Sequence, residues 1–249
     1  MNNDREFIKN LQTENQHIEL SKPAIITIMA KNDVGKSIFT MLGGIPDKTL
    51  YVVTDSSCLT SSLSPFQEMI PNVTFLKNID HLTEIASKFH LIKQQIIVFD
   101  HIGALITRAK AEFSCPPSDS QFYYKLGAWT SKKISTPLSE IILKSRQHGK
   151  ILVFLCPLTY LTTDDLTEGD VAFDTKVAQE VIFNEADLII YLRRKKVVSN
   201  LTDFFKHIEI ITSLPNSIFP LKDKGLFRRK EVSKKYCNTF SEILAQINQ

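Results

Sequence analysis

An octapeptide near the start of the chain carries the residue types that bind phosphate. Residues 30–37 read Ala-Lys-Asn-Asp-Val-Gly-Lys-Ser and match the pattern GxxxxGK[ST], except that Ala30 replaces the first glycine. In such a loop the backbone N–H groups and the following helix N-terminus point at nucleotide phosphates. Lys36 would supply a cation to the β- and γ-phosphates, and the Ser37 hydroxyl would bind Mg2+. The predicted contacts of this P-loop are Ala30, Lys31, Asn32, Asp33, Val34, Gly35, Lys36, Ser37 and Ile38.

Two carboxylates follow the loop, each at the end of an apolar run. Asp100 ends the run 96–99, where a parallel strand would present it to the P-loop and let it hold Mg2+ together with Ser37. An alternative and compatible role for Asp100 is the N-cap of a helix that begins near Gly103. Asp55 directly follows the run 49–54. Lys36, Ser37 and Asp100 together predict a site for ATP and Mg2+, with Lys36 and Asp100 as catalytic residues.

The elements that must position these residues follow from hydrophobic patterning. Apolar, β-branched runs alternate with segments of helical periodicity, which predicts an α/β fold: three layers, with a mainly parallel central sheet. Helical periodicity covers 79–93 and 121–148, with a potential interruption near Pro137 and a stop at Gly149. The predicted strands are 24–29, 49–54, 72–76, 95–100, 150–155, 187–192 and 207–212. The predicted loops are 112–120, 157–172 and 214–225.

Length and composition predict one domain. No linker divides the 249 residues, so we predict a core over 22–230, an N-terminal helix or docking arm over 1–21, and a C-terminal helix over 231–249. No apolar run approaches the roughly 20 residues that span a bilayer, and no signal-peptide pattern follows Met1. The expected location is therefore the cytoplasm, with no membrane partner. The four cysteines are far apart and match neither a zinc site nor a disulfide framework.

Basic residues outnumber acidic ones from 193 to 235, although the net charge of the chain is only +3. Such a skew indicates either a surface that faces a polyanion or an ordinary solvated face. The candidate DNA contacts are Arg193, Arg194, Lys195, Lys196, Arg228, Arg229 and Lys230.

The order of these motifs resembles the RecA-like P-loop ATPases, in particular the phage-encoded nucleotide-binding proteins that assist single-strand annealing. The shared features are the P-loop, a short following helix that ends before Gly43, the strand that ends at Asp100, and a long helix containing Trp129. The resemblance implies an ATPase that acts in DNA recombination, annealing or replication, in which Asp55 would activate the attacking water as a further catalytic residue. It also implies a homo-oligomer with nucleotide between subunits, and single-stranded DNA and a single-strand-binding protein as partners.

In RecA-like assemblies a late pair of basic residues reaches the γ-phosphate held by the neighbouring subunit. Lys222 and Lys224 resemble that pair and would act as catalytic cations, whereas the alternative is a lysine-rich turn before Gly225. Segment 157–172 stands where these proteins place a DNA-contacting loop, but it contains acids and neither lysine nor arginine, which disfavours contact with phosphate.

Two other functions fit the same P-loop. Residues 31–37 approximate the KGGxGK[ST] loop of partitioning ATPases similar to ParA and MinD, in which Lys31 would reach across a dimer. Asn32 and Asp33 in place of the two glycines, together with the short following helix, oppose this assignment. The second alternative is a nucleotide-dependent assembly protein with little turnover, which Ala30 and the lone acid Asp55 favour.

Overall fold

The computed structural model describes the central sheet and most of the helices around it. The described residues are 2–31, 34–54, 63–101, 103–104, 107, 111, 113, 118–159, 170–171, 176–194, 196, 200–211, 222–223 and 239–248. Of the predicted site residues, Asn32, Asp33, Asp55, Lys195, Lys224, Arg228, Arg229 and Lys230 lie outside them.

Within these residues nine strands form one sheet. They are β1 (Ala24–Lys31), β2 (Thr49–Val53), β3 (Val73–Phe75), β4 (Ile96–Asp100), β5 (Ile151–Thr159), β6 (Asp170–Val171), β7 (Leu188–Arg194), β8 (Ile208–Ile211) and β9 (Lys222–Asp223). The order is β3-β2-β4-β5-β1-β7-β8, with β6 on β5 and β9 on β7. Strands β1 to β5 and β7 are parallel to one another, whereas β6, β8 and β9 are antiparallel to their partners. Each of the seven predicted strands is present.

Two predicted loops contain strand residues. β5 continues through Pro157 to Thr159, because Pro157 and Leu158 stay in register with Ala30 and Lys31 of β1. β6 then pairs with Leu158 and Thr159 inside the segment 157–172, and β9 lies inside the segment 214–225. Both loop boundaries were therefore wrong at these positions. The cause is long-range pairing with neighbouring strands, which local patterning does not contain.

Helices cover both faces of the sheet. They are the N-terminal helix (Asn2–Asn15), the P-loop helix (Lys36–Leu42), Asp80–Ser87, Phe122–Thr130, Thr136–Gln147, Lys176–Glu185, the aromatic helix (Leu201–His207) and the C-terminal helix (Phe240–Ile247). Short 3-10 turns occupy Pro46–Lys48, Ser64–Met69 and Phe89–Leu91. None of the helices in the described part of the chain has both the length and the apolar character to cross a bilayer.

The interruption predicted near Pro137 is a π-helical turn. Residues Ser131–Ser135 join Phe122–Thr130 to Thr136–Gln147, so the helix widens rather than breaks. Proline lacks the N–H that would close an α-helical turn, and a wide turn just before it accommodates the ring. Gly149, with φ 65°, follows the helix end and fits the predicted stop.

The core consists of two apolar layers, one on each face of the sheet. Along β1, Ile25 and Met29 enter one layer, whereas Ile26 and Ile28 enter the other, as the pleat of a strand requires. The first layer is covered by Asp80–Ser87, Thr136–Gln147 and Lys176–Glu185; the second is covered by the P-loop, aromatic and terminal helices. The α/β class with three layers and a mainly parallel sheet is thus confirmed.

The N-terminal helix packs against the side of the sheet that carries the P-loop helix. Ile8 is fully buried, and the Asn15 side-chain amide donates to the Gly44 carbonyl at 3.2 Å. The Asp4 carboxylate accepts the Leu201 N–H at 3.0 Å, at the start of the aromatic helix. These contacts tie the helix to its own core.

The C-terminal helix begins with a capping box whose glutamate is partly buried. The Glu242 N–H donates to Thr239 Oγ1 at 3.3 Å, and Glu242 Oε2 accepts the Thr239 N–H at 3.4 Å. Burial raises the pKa of Glu242 to about 7, although the bond from the Thr239 N–H lowers it. Because the pKa of Glu242 is higher in the folded chain than in the unfolded one, the folded chain binds the carboxyl proton more tightly. The contribution of the protonated Glu242 side chain to stability is full below the unfolded pKa and is lost as pH rises through about 7.

We expect Glu242→Gln to be more stable than the parent at pH 8 by about 1 kcal/mol. That figure is below the full linkage value because water screens a partly exposed carboxylate. Glutamine keeps the acceptor of the capping box and removes the charge, so at pH 5 the difference should shrink. Urea denaturation at the two pH values measures the difference in the free energy of unfolding. The control is Glu6→Gln, because Glu6 is exposed. A difference that is the same at both pH values would contradict the prediction.

Candidate nucleotide site

The P-loop leaves the carboxyl edge of the sheet and turns into its helix at Gly35. Gly35 has φ 101° and ψ 37°, a left-handed conformation that L side chains rarely adopt. A Cβ atom at this position would lie 2.7 Å from Cε2 of Phe204 on the aromatic helix. Two features therefore require glycine at position 35: the left-handed backbone conformation and the close contact with the Phe204 ring.

Ala30, in contrast, does not need to be glycine. It is fully buried within β1 and pairs with Pro157 of β5 in a regular parallel register. An extended strand suits alanine without strain. The departure from the GxxxxGK[ST] pattern at Ala30 therefore falls at a position that needs no special backbone conformation.

The Lys36 side chain folds back over the loop. Its ammonium donates to the carbonyl oxygens of Ala30 and Lys31, each at 3.2 Å, and only 5% of the residue is exposed. An ammonium bonds more strongly to an anionic acceptor than to neutral carbonyls. This arrangement fits the predicted phosphate-binding role of Lys36.

Ser37 and Asp100 meet across the sheet edge. The Ser37 hydroxyl donates to Asp100 Oδ2 at 2.5 Å, and Asp100 is fully buried at the end of β4. In the sheet, β5 lies between β1 and β4. Ser37 Oγ and Asp100 Oδ2 are adjacent in space although their residues are 63 positions apart in sequence. Hydroxyl and carboxylate oxygens are the hard ligands that Mg2+ prefers. The donor set therefore fits the predicted Mg2+ site, and Ser37 and Asp100 are the residues that would hold the ion.

Thr54, which the sequence analysis did not identify, forms hydrogen bonds to the backbone of Asp100. The Thr54 N–H and the Thr54 hydroxyl donate to the Asp100 carbonyl at 3.3 and 3.0 Å, and the hydroxyl also contacts the carbonyl of His101. His101 has φ 58°, so the chain turns sharply just after the carboxylate. The available sequence signal for Thr54 was its position one residue before Asp55, at the end of a buried strand.

Cys156 is the one cysteine in the described part of the chain, and it is buried. It lies on β5 in register with Met29, and its pKa is raised strongly by burial, an effect that the charge of Lys36 opposes only in part. The thiol therefore stays protonated at neutral pH and contributes packing rather than nucleophilic chemistry.

Lys222 is not brought to the P-loop of its own chain. Its backbone pairs with Ile189 of β7, which in turn pairs with Thr27 of β1. Thr27 precedes Lys31 by four residues, about 13 Å along a strand. The chain from Lys222 to Asp223 also runs away from the P-loop edge, because β9 is antiparallel to β7.

The basic residues at the end of β7 are partly neutralised. Arg193 donates from Nη2 and Nε to Glu209 Oε2, at 2.6 and 2.9 Å. Arg194 is half-buried and Lys196 is exposed. The described part of this predicted DNA surface thus offers less positive charge than its sequence indicates.

A second surface, which the sequence analysis did not assign, carries exposed aromatic rings. Tyr123 and Tyr124 are 85% and 79% exposed on the first turn of helix Phe122–Thr130. This long helix leads back to the start of β5, so its first turn lies toward the carboxyl edge of the sheet, as the P-loop does. Residues 120–139 contain lysines and no acid, and that run was the available sequence signal.

No protein-family model matches this sequence, and no curated protein sequence matches it. Among solved structures that resemble it is the flagellar accessory protein FlaH from Methanocaldococcus jannaschii, with 11% identity, a TM-score of 0.43, and coverage of 76% of this chain and 79% of that chain. The RadB recombinase has 15% identity and a TM-score of 0.42, over 71% of this chain and 77% of that chain.

The fold class follows from the chain itself. β5 lies between the P-loop strand β1 and the Asp100 strand β4. The chain therefore has a three-layer α/β fold with a mainly parallel sheet, in which one strand lies between the P-loop strand and the Asp100 strand.

Proposed function

We propose that this protein is a RecA-like ATPase that binds ATP with Mg2+ at the P-loop and hydrolyses it. The observation that carries the proposal is the meeting of Ser37 Oγ and Asp100 Oδ2 at 2.5 Å, in the same loop as the buried ammonium of Lys36. An anion site and an oxygen-rich cation site side by side are what a magnesium–nucleotide complex requires.

Each residue has a distinct task in this proposal. The Lys36 ammonium exchanges its two carbonyl contacts for the β- and γ-phosphates, which are stronger acceptors. Ser37 and Asp100 would hold Mg2+, which would neutralise phosphate charge when bound. Asp55, which follows Thr54 directly, is proposed to orient the attacking water. Gly35 keeps the loop backbone close to the phosphates.

Oligomerisation would complete the site. Lys222 lies about four strand residues away from the P-loop edge of its own chain, so it does not serve its own nucleotide in this arrangement. We propose that Lys222 and Lys224 face the nucleotide of a neighbouring subunit, where a cation stabilises charge that develops on the γ-phosphate. The working form is then a homo-oligomer with nucleotide at its interface.

For the biological role we propose action on single-stranded DNA, in recombination, annealing or replication within the cytoplasm. Tyr123 and Tyr124 support this role, because exposed aromatic rings can stack against bases. Arg194 and Lys196 could add contacts to the phosphate backbone. A single-strand-binding protein is the expected protein partner.

The test is the ATPase rate with and without oligo-dT. We expect DNA to stimulate the parent and the double variant Tyr123→Ala, Tyr124→Ala to bind oligo-dT about tenfold more weakly, because stacking stabilises each bound base. The matched control is Leu143→Ala, which removes another exposed apolar side chain from the same long helix. Unchanged ATP turnover without DNA would show that the site itself is intact.

Intact ATP binding without stimulation by DNA would contradict the DNA role. That outcome would favour the alternative function, a nucleotide-dependent assembly protein with little turnover. The pairing of Arg193 with Glu209 also supports this alternative, because it reduces the positive charge available to DNA. Gel filtration with a non-hydrolysable ATP analogue then reports whether nucleotide drives association.

A further inference from the structure

The end of β2 is bonded to the end of β4 at the point where Asp100 leaves the sheet. Val53 is the last β2 residue in the ladder and pairs with Asp100. One residue further, Thr54 is only 3% exposed, and its N–H donates to the Asp100 carbonyl at 3.3 Å. Its hydroxyl lies 3.0 Å from the same carbonyl and also donates to the His101 carbonyl. A hydroxyl has one proton, so the two carbonyls share it.

These bonds fix an unusual turn. His101 has φ 58°, a conformation that a residue with a Cβ atom adopts at a cost and only where its surroundings hold it. Its carbonyl also accepts the Ala104 N–H at 3.0 Å, which starts the next turn of chain. Thr54 therefore holds the peptide carbonyls on both sides of His101.

The orientation of the Asp100 carboxylate depends on this backbone. Asp100 Oδ2 accepts the Ser37 hydroxyl at 2.5 Å, so a rotation of the Asp100 backbone moves one of the two oxygens that face each other across the sheet edge. In metal sites the groups that orient a ligand contribute to affinity although they never touch the ion.

We propose that Thr54 is a positioning residue for the Mg2+ ligand Asp100. This inference rests on the proposed function, since it concerns the same ATP and Mg2+ site. Thr54 acts through Asp100 and His101, and it contributes to the part of ATP affinity that depends on Mg2+. It does not contribute to the part that the P-loop and Lys36 supply without the ion.

The experiment measures ATP affinity of the full chain by calorimetry, in Mg2+ and in EDTA. Thr54→Val removes the hydroxyl and nearly keeps the shape, Thr54→Ala removes it with less bulk, and Thr54→Ser restores it. We expect the gain in affinity from Mg2+ to fall by about tenfold or more in the valine and alanine variants. The serine variant should stay within about twofold of the parent, and affinity in EDTA should change little in all three.

A matched control lies at the other end of the same strand. Thr49 is also fully buried, and its hydroxyl donates to the Ile45 carbonyl at 2.6 Å. Thr49→Val removes a comparable hydrogen bond far from Asp100, so it should lower thermal stability and leave the gain from Mg2+ unchanged.

The outcomes separate this inference from the function on which it rests. An unchanged gain from Mg2+ in both hydroxyl-free variants overturns the inference and leaves the ATPase proposal standing. Equal losses of affinity in Mg2+ and in EDTA also overturn it, because they indicate a general structural role. A parent chain that binds no ATP in either condition overturns both proposals.

Discussion

We expect Lys36→Ala to lower the affinity for ATP by roughly 100-fold while changing thermal stability little. In the folded chain the Lys36 ammonium bonds to the Ala30 and Lys31 carbonyls, neutral acceptors that the alanine variant no longer engages. Against phosphate the same ammonium would form charge-assisted bonds, and the loss of about 3 kcal/mol corresponds to roughly 100-fold in affinity. Calorimetric titration with ATP and Mg2+ measures the change.

A lysine elsewhere provides the control for this experiment. Lys93 is exposed and precedes β4, so it lies near the opposite edge of the sheet from the P-loop. Lys93→Ala removes the same charge from the chain and should leave ATP affinity within about twofold. If Lys36→Ala binds ATP within tenfold of the parent, the phosphate-binding role assigned to Lys36 is wrong.

The second large effect is expected for Gly35→Ala. An alanine at φ 101° is strained, and its Cβ would lie 2.7 Å from the Phe204 ring. We expect a loss of about 2–4 kcal/mol in the free energy of unfolding, the sum of backbone strain and overpacking. ATP affinity should fall as well, because the loop or the ring must move. Urea denaturation and calorimetry on the same preparation measure the two losses.

Two other glycines separate the contributions. Gly149 has φ 65° and nothing within 4 Å of an added Cβ, so Gly149→Ala should carry the backbone strain alone, about 1 kcal/mol. Gly127 lies inside a helix with the same open space, so Gly127→Ala should stabilise the chain by about 0.5–1 kcal/mol. A Gly35→Ala variant no less stable than Gly149→Ala would show that Phe204 does not press on the loop.

Local patterning located the strands and the P-loop because their signals lie within a few adjacent residues. The run 24–29 is apolar on both faces, as a central parallel strand must be, and residues 35–37 follow it directly. Asp100 was found in the same way, at the end of the run 96–99. Strand ends of a parallel sheet share one edge, so even the meeting of Ser37 with Asp100 could be predicted from sequence.

The same reasoning could not find the residues that act through long-range contacts. Phe204 closes against Gly35 across 169 positions of sequence, and nothing in the pattern of residues 201–207 indicates which loop the ring meets. Thr54 reached its role only because β2 and β4 are neighbours in register. For Arg193 the sequence shows the charge, but only the pairing of β7 with β8 places Glu209 beside it.

The P-loop illustrates the division between the two sources of information. The sequence by itself determined that Gly35, Lys36 and Ser37 follow a buried strand and precede a helix, because backbone conformation there depends on neighbouring residues. Only the tertiary structure decided that Ala30 lies in a regular strand in register with Pro157, and that Gly35 faces an aromatic ring. It also decided that Lys222 lies away from the P-loop edge of its own chain. Register and packing between distant segments fix these points, and no short stretch of sequence encodes them.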